Sequence, residues 1–274
     1  MSDADHDFEG YWVEFEWEAT GEKEKVYIGE VQYIFLHVPR TGGTYVARGG
    51  DVLSPIFDLN HSVLVDDPNW VASDYPPSPG YNKYMMKDVT LVTKPNRICF
   101  ATVRNPFDWF VSYFYFRSRE KESFEQKKKK FDYFMRMLMD NEVGWPSRKL
   151  LYFAFFRYSG NFIVDRLIHQ ENLDLELEEF ANESVDLWYK ESDKRLMKSY
   201  DRNSDYRVYY SDDLAERVSK VWERDLVLFG YNFNDGKIPG ILNKVVTSEQ
   251  KSVLTYDWGK DKLIYEKDVL PIFV

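Results

Sequence analysis

Two apolar runs, each followed at once by a polar loop and a helix start, restrict the fold of this chain more than any other feature. Residues 33–46 read YIFLHVPRTGGTYV, so a strand-like run passes directly into glycines and hydroxyl side chains. Residues 96–109 read NRICFATVRNPFDW, in which Asn105 and Pro106 are typical of a helix N-cap and first turn. Buried strands that alternate with helices predict an α/β fold with a parallel sheet covered on both faces.

The two loops are candidate binding sites because ligands of such sheets bind at the carboxyl ends of the strands. In the first loop, glycines allow backbone N–H groups to face an anion, and Arg40 adds a positive charge. The hydroxyls of Thr41 and Thr44 are further possible donors, although a plain strand-to-helix turn is the simpler alternative. The loop lacks the Gly-Lys-Ser/Thr ending of a Walker A sequence, which disfavours an ordinary ATPase or GTPase.

The remaining patterns predict one domain, residues 1–274, with a core at 30–233 and extensions at 1–29 and 234–274. The alternation in 11–18 predicts the first strand of a hairpin. We expect helices over 106–122, 122–140, 211–229 and 255–273, and a short strand at 205–210. The run from Lys127 to Lys130 is expected to form a solvated helix face, and Cys99 is expected to be a small core residue.

The charge and cysteine content narrow the class of protein. A formal net charge of −10 makes the chain a poor non-specific ligand of nucleic acid or anionic membranes, so neither is expected as a partner. The single cysteine excludes an intramolecular disulfide. The acidic start, MSDADHDFEG, does not have the pattern of a signal peptide, and no run is as long as a membrane span. We therefore expect a cytoplasmic protein.

The first loop resembles the 5′-phosphosulfate loop of sulfotransferases that use 3′-phosphoadenosine 5′-phosphosulfate (PAPS). In the branch that includes carbohydrate sulfotransferases, this loop reads roughly H-[IV]-P-[KR]-T-G-G-T-S. The corresponding stretch here is HVPRTGGTY, with Arg40 where lysine is common and Tyr45 in place of a small hydroxyl residue. The resemblance implies a donor site formed by Pro39, Arg40, Thr41, Gly42, Gly43, Thr44 and Tyr45.

The second loop resembles the 3′-phosphate motif of the same family, R-[ND]-P followed by S-x-Y. Arg104, Asn105 and Pro106 are followed by Ser112, eight residues after the arginine. The stretches GNFIVDRLIHQENLDLELEEF and YYSDDLAERVSKVWERDLVLFGY are similar to two later family segments, although His169 replaces a common arginine. The resemblance covers roughly residues 30–233 and implies a three-layer fold like that of P-loop nucleotide hydrolases.

The resemblance also implies the reaction, which is transfer of a sulfuryl group from PAPS to an acceptor hydroxyl by in-line displacement. Arg40 would stabilise the leaving phosphate, and Arg104 and Ser112 would bind the 3′-phosphate of PAPS and of the product, adenosine 3′,5′-bisphosphate (PAP). The acceptor would be a carbohydrate or another small molecule. No metal is implied, and no residues with metal-ligand spacing stand out.

An acceptor hydroxyl needs a general base, and four residues are candidates. His61 lies between the two donor motifs, where relatives often place a catalytic histidine, and it is the first choice. His37, Glu171 and Asp58 are the alternatives. Two other functions stay open, namely a nucleotide-dependent kinase or phosphotransferase on a related fold, and a sulfotransferase-like binding module without catalysis.

Overall fold

The structure is a computed structural model, and it describes a large part of the chain in separate stretches. The described residues are 11–16, 23–28, 32–38, 40–47, 53–54, 57–60, 97–118, 121–140, 151–152, 155–156, 160–184, 187–189, 202–234, 240–257, 260 and 262–265.

The strands and helices within these residues follow one another along the chain. The strands are β1 (Tyr11–Glu16), β2 (Lys23–Ile28), β3 (Gln32–His37), β4 (Leu53–Ser54), β5 (Phe57–Asn60), β6 (Arg97–Val103), β7 (Arg166–His169), β8 (Trp188–Tyr189), β9 (Leu254–Asp257) and β10 (Lys262–Tyr265). The helices are α1 (Gly43–Ala47), α2 (Pro106–Arg117), α3 (Phe124–Asp140), α4 (Leu173–Asn182), α5 (Asp212–Val221), α6 (Glu223–Phe229) and α7 (Ser248–Ser252). Short 3₁₀ helices cover Gln170–Asn172 and Tyr206–Tyr209.

A four-stranded parallel sheet forms the centre of the structure, with strand order β5–β3–β6–β7. The register pairs Gln32 with Arg97 and Phe100 with Arg166. The two apolar runs of the sequence are the adjacent strands β3 and β6. The prediction of an α/β fold with a parallel sheet is therefore confirmed.

Both faces of the sheet are covered, because successive side chains of a strand point to opposite faces. In β6, Cys99, Ala101 and Val103 contribute to one apolar cluster, which also contains side chains of α2, α3, α5 and α6. Phe100 lies in a second cluster with residues of α1 and α4. The prediction that Cys99 is a core residue is confirmed, since it is fully buried.

Among the described residues, three antiparallel pairs of strands lie outside the central sheet. β1 pairs with β2, as the alternating pattern predicts, and β4 pairs with β8. β9 and β10 form a hairpin where we predicted a helix. The prediction was wrong because Leu254 and Tyr256 alternate with half-buried residues, and the Asp257 carboxylate accepts a hydrogen bond from the Lys260 backbone N–H, which stabilises a turn.

Other local predictions differ from the structure in informative ways. Residues 206–209 form a 3₁₀ helix and not a strand, since Asp205 caps the Arg207 N–H and turns the chain locally. The helix predicted over 211–229 is present as α5 and α6, and it ends at Gly230 with φ +69°. Lys127 is buried, and its ammonium lies 4.7 Å from the centre of the Tyr115 ring. The prediction that Lys127 to Lys130 form a solvated face is therefore wrong for Lys127.

Candidate functional site

The carboxyl edge of the parallel sheet gathers the loops that the sequence selects. His37, Val103 and His169 end β3, β6 and β7, so the segments that follow these strands start at the same edge. The chain passes from β3 to β5 on one side and then to β6 on the other. A crevice outside the carboxyl ends of the strands forms where the strand order reverses in this way, and it is the usual ligand site of such sheets.

The loop after β3 has an unusual backbone. Arg40 has φ +70°, and among the described residues it is the one non-glycine residue with positive φ. Such conformations are costly for L-residues with a side chain and are concentrated at functional sites. Gly42 follows with φ +88°, and a Cβ atom placed on it would lie 2.9 Å from Leu173 Cδ2. The backbone conformation therefore favours glycine at position 42, and a Cβ atom there would displace the Leu173 side chain of α4.

Thr41 fixes this loop to the sheet. Its hydroxyl donates to the Val38 carbonyl at 2.7 Å and lies 2.6 Å from the Thr102 hydroxyl of β6. The side chain is fully buried. The hydroxyl therefore has a structural partner on each side, and a contribution of Thr41 to an anion would come from its backbone N–H.

Arg40 reaches from the first loop to helix α2. Its Nε donates a hydrogen bond to the Ser112 hydroxyl at 3.1 Å, and its guanidinium lies 4.9 Å from the centre of the Phe116 ring. Ser112 and Phe116 are one turn apart on the same helix face. The structure thus brings Arg40 and Ser112, two residues that the sequence predicts to bind PAPS, into direct contact.

Arg104 joins the same group and connects both loops. Its Nη1 donates to the Arg40 carbonyl at 2.8 Å, and its Nε and Nη2 donate to Asp108 Oδ2 at 2.8 and 2.5 Å. The other oxygen of this carboxylate accepts a hydrogen bond from Arg202 Nη1 at 2.6 Å. Burial raises the pKa of Asp108, but the charges and hydrogen bonds of the two arginines outweigh it and hold that pKa below its usual value.

The backbone of Arg104 is held by a buried tyrosine. The Tyr152 hydroxyl accepts the Arg104 N–H at 2.7 Å and donates to the Arg104 carbonyl at 2.5 Å. Burial raises the pKa of Tyr152 well above its usual range, so the hydroxyl stays protonated and can donate. The Tyr152 N–H in turn donates to the buried carboxylate of Asp225.

Glu171 supports the second loop from the end of β7. Its Oε1 accepts the Asn105 N–H at 2.8 Å, and its Oε2 accepts the Tyr231 hydroxyl at 2.9 Å. Asn105 also caps α2, because its side chain accepts the Phe107 N–H. Of the four general-base candidates, Glu171 is the one whose side chain the structure describes, and both of its oxygens have partners here.

The other predicted residues divide into two groups. Gly43 begins α1, and Tyr45 is buried in the second apolar cluster, so its ring belongs to the core. The structure describes the backbone of His37 at the end of β3, of Thr44 in α1 and of Asp58 in β5. Pro39 and His61 lie outside the described residues.

Sequence reasoning missed three side chains of this group. Asp108 stands four residues after Arg104, and this spacing of opposite charges at the start of a helix was the available signal. Tyr152 and Arg202 had no such signal, because both come from segments that are distant along the chain and carry no motif.

The described residues define an α/β protein in which Arg104 and Arg202 share the Asp108 carboxylate at the carboxyl edge of the parallel sheet, and Arg104 also donates to the Arg40 carbonyl. Comparisons with protein-family models, with curated proteins and with solved structures find no match for this chain. Among the described helices, none has the length and apolar character needed to cross a membrane.

Proposed function

We propose that this protein is a sulfotransferase that transfers a sulfuryl group from PAPS to a hydroxyl of a carbohydrate or another small molecule. The observation that carries the proposal is the convergence of Arg40, Ser112 and Arg104 at the carboxyl ends of two adjacent parallel strands. These residues come from the two loops that resemble the donor motifs of the family. The three-layer P-loop-like fold belongs to the same proposal.

The local charge supports an anionic ligand. Arg40, Arg104 and Arg202 contribute three guanidinium groups, and the carboxylate of Asp108 accepts hydrogen bonds from two of them, Arg104 and Arg202. Glu171 lies close by, but its hydrogen bonds go to the Asn105 N–H and the Tyr231 hydroxyl. Arginine is well suited to phosphate because its planar fork of N–H donors matches the oxygens of the anion.

In the proposed reaction the acceptor oxygen attacks the sulfur of PAPS in line with the bridging oxygen. A new S–O bond forms, the bond from sulfur to the bridging oxygen breaks, and the electron pair leaves on the 5′-phosphate of PAP. Arg40 stabilises the negative charge that develops there, and backbone N–H groups of the loop from Thr41 to Thr44 bind the 5′-phosphate. Arg104 and Ser112 bind the 3′-phosphate.

The proton of the acceptor hydroxyl passes to a general base. His61 is the proposed base, and His37, Glu171 and Asp58 are the alternatives. The exposed residue Glu171 is already placed beside the second loop by Asn105 and Tyr231, which keeps it as a candidate.

Thermal unfolding with nucleotides tests the donor site. We expect PAP to raise the unfolding temperature by several degrees at 100 times its Kd, because such a ligand adds about 2.7 kcal/mol of stability. AMP and ADP, which lack the 3′-phosphate, should shift it less. Stabilisation by ATP in preference to PAP would support the kinase alternative, and no shift with any nucleotide would contradict the donor site.

A matched pair of serine variants makes this test specific. Ser112→Ala removes the hydroxyl that contacts Arg40, whereas Ser219→Ala removes a helical hydroxyl that donates to the Ala215 carbonyl. The shift with PAP should shrink in the first variant and persist in the second. Transfer of labelled sulfate from PAPS to a panel of sugars and phenols then separates an enzyme from a binding module.

A further inference from the structure

We propose that Arg202 is an additional ligand of the 3′-phosphate, contributed by a segment outside both donor motifs. The inference rests on the proposed function, since it assigns a residue to the same donor site. Arg202 donates from Nη1 to Asp108 Oδ1 at 2.6 Å, while Arg104 occupies Oδ2 of the same carboxylate. One carboxylate therefore holds the two guanidinium groups side by side, within reach of a single anion.

Within the part of the chain that the structure describes, Asp108 is the one carboxylate that hydrogen-bonds to Arg104 or Arg202. Two positive side chains share one negative side chain, and the three are only 8%, 16% and 14% exposed for Arg104, Arg202 and Asp108. Excess charge with so little contact with water is costly unless a counter-ion is close. A phosphate group bound here would bring negative charge to both guanidinium groups.

Both arginines keep hydrogen-bond donors for such an anion. A guanidinium has five N–H groups. Within the described part of the chain, the hydrogen bonds of Arg104 use three of them and the hydrogen bond of Arg202 uses one. The remaining donors can bind phosphate without loss of the contacts to Asp108.

The segment that carries Arg202 is anchored independently of Asp108. The Tyr209 hydroxyl accepts the Asn203 N–H, and the Tyr206 hydroxyl donates to the Phe233 carbonyl. The next tyrosine, Tyr210, donates to the Phe107 carbonyl in α2. A substitution at position 202 therefore leaves the segment in place, which makes the proposal testable in a folded protein.

Calorimetric titration of the full chain with PAP and with AMP tests the inference, because the two ligands differ by the 3′-phosphate. We expect Arg202→Gln to weaken PAP binding tenfold or more and AMP binding less than twofold. Arg202→Lys, which keeps the charge without the planar fork, should be intermediate. Arg217→Gln is the matched control, since Arg217 is bound to Asp140 at an exposed position.

The outcomes separate the inference from the proposed function. If the wild type binds PAP with a dependence on Ser112 and Arg104, but Arg202→Gln weakens PAP and AMP equally or not at all, Arg202 is structural and the donor site stands. The wild type could instead bind inorganic phosphate with a dependence on Arg202 but show no preference for PAP over AMP. This result would contradict PAPS as the ligand and would support an anion site at Arg202. If neither PAP nor phosphate binds, both proposals are overturned.

Discussion

At the scale of single residues, Tyr152 makes the position of Arg104 depend on a side chain 48 residues away. The Tyr152 hydroxyl forms hydrogen bonds with both the N–H and the carbonyl of Arg104, which lies between the end of β6 and the start of α2. Backbone groups between elements lack the partners that a strand or helix supplies, and a buried one without a partner is costly. The tyrosine thus completes the hydrogen bonding of the loop that carries the arginine.

We expect Tyr152→Phe to lower the free energy of unfolding by roughly 2–4 kcal/mol, since two buried backbone groups of Arg104 lose a partner. PAP binding should weaken as well, because Arg104 is then less well positioned. Urea unfolding and calorimetry measure the two effects. Tyr133→Phe is the control, as Tyr133 is 68% exposed. Equal stability of the two variants would contradict the role of Tyr152.

Gly42 provides a second prediction at this scale. Gly42→Ala should cost about 1–2 kcal/mol, because its φ of +88° disfavours any residue with a Cβ. The new Cβ would also meet Leu173 Cδ2 at 2.9 Å. The double variant Gly42→Ala/Leu173→Ala removes that contact but not the backbone strain. Urea unfolding measures the cost, and a double variant as stable as Leu173→Ala alone would show that the contact, and not the conformation, requires glycine.

At the scale of elements, the start of helix α2 depends on more than its N-cap. The Asn105 side-chain oxygen accepts the Phe107 N–H at 3.1 Å, while its nitrogen donates to the Tyr206 hydroxyl at 3.2 Å and to the Asn232 carbonyl at 3.0 Å. One amide therefore joins α2 to two later segments. An acidic cap, which suits an isolated helix, lacks these donors.

We expect Asn105→Asp to destabilise the protein by about 2 kcal/mol, because a carboxylate oxygen would face the Asn232 carbonyl without a donor between them. Ser211→Asp changes the cap of α5 at an exposed position and should stay within about 0.5 kcal/mol of the wild type. Chemical unfolding of both variants tests the difference. A cost that is the same in both would assign the Asn105 effect to capping alone.

The elements that could be predicted from sequence are those with strong local signals. The runs of β3 and β6 have long apolar cores, and α2 has a cap and a proline at its start. The hairpin of β9 and β10 was missed because its strands are four residues long, and its residues are buried by tertiary packing that no local pattern records. The 3₁₀ helix at 206–209 was missed for a local reason, which is the cap by Asp205.

The same distinction holds for the candidate site. Arg40, Arg104 and Ser112 were predicted because they stand in motifs with regular spacing, and the structure brings them together. Arg202 and Tyr152 reach the site through contacts between distant segments. Their positions depend on the packing of the whole molecule, which a single sequence does not reveal.

At the scale of the whole molecule, two buried carboxyl groups respond to pH in opposite directions. Burial raises the pKa of Asp225 to about 7, despite the N–H groups of Leu151 and Tyr152 that donate to it. Burial also disfavours the charge of Glu176, but hydrogen bonds from His169 and the nearby charges of His169 and Lys244 lower its pKa to about 2. Glu176 stabilises the fold above its ordinary pKa, and this contribution is lost as the pH falls toward 2.

Asp225 changes the stability in the opposite direction, at pH values between its ordinary pKa of 3.8 and its folded pKa of about 7. The folded state binds the additional proton in this range, so stability should fall as the pH rises through it. Urea unfolding at pH 5, 6, 7 and 8 measures the slope, over a range that lies above the ordinary pKa of 4.5 for Glu176. We expect Asp225→Asn to be less stable at pH 5 but to show a flatter slope.

Glu216→Gln is the control for this experiment. Glu216 is exposed and bound to Lys220 on α5, so the slope of this variant should match that of the wild type. A wild-type slope that persists in Asp225→Asn would show that another group binds the proton.

The pairing of β3 with β6 also determines when during synthesis the candidate site can form. Gln32 lies opposite Arg97, about 65 residues later in the chain. A ribosome adds about 5–20 residues per second, so β6 is synthesised several seconds after the edge of β3 with which it pairs. Arg40 leaves the ribosome soon after β3 and Arg104 only after β6, so the candidate anion site cannot form on the nascent chain before both have emerged.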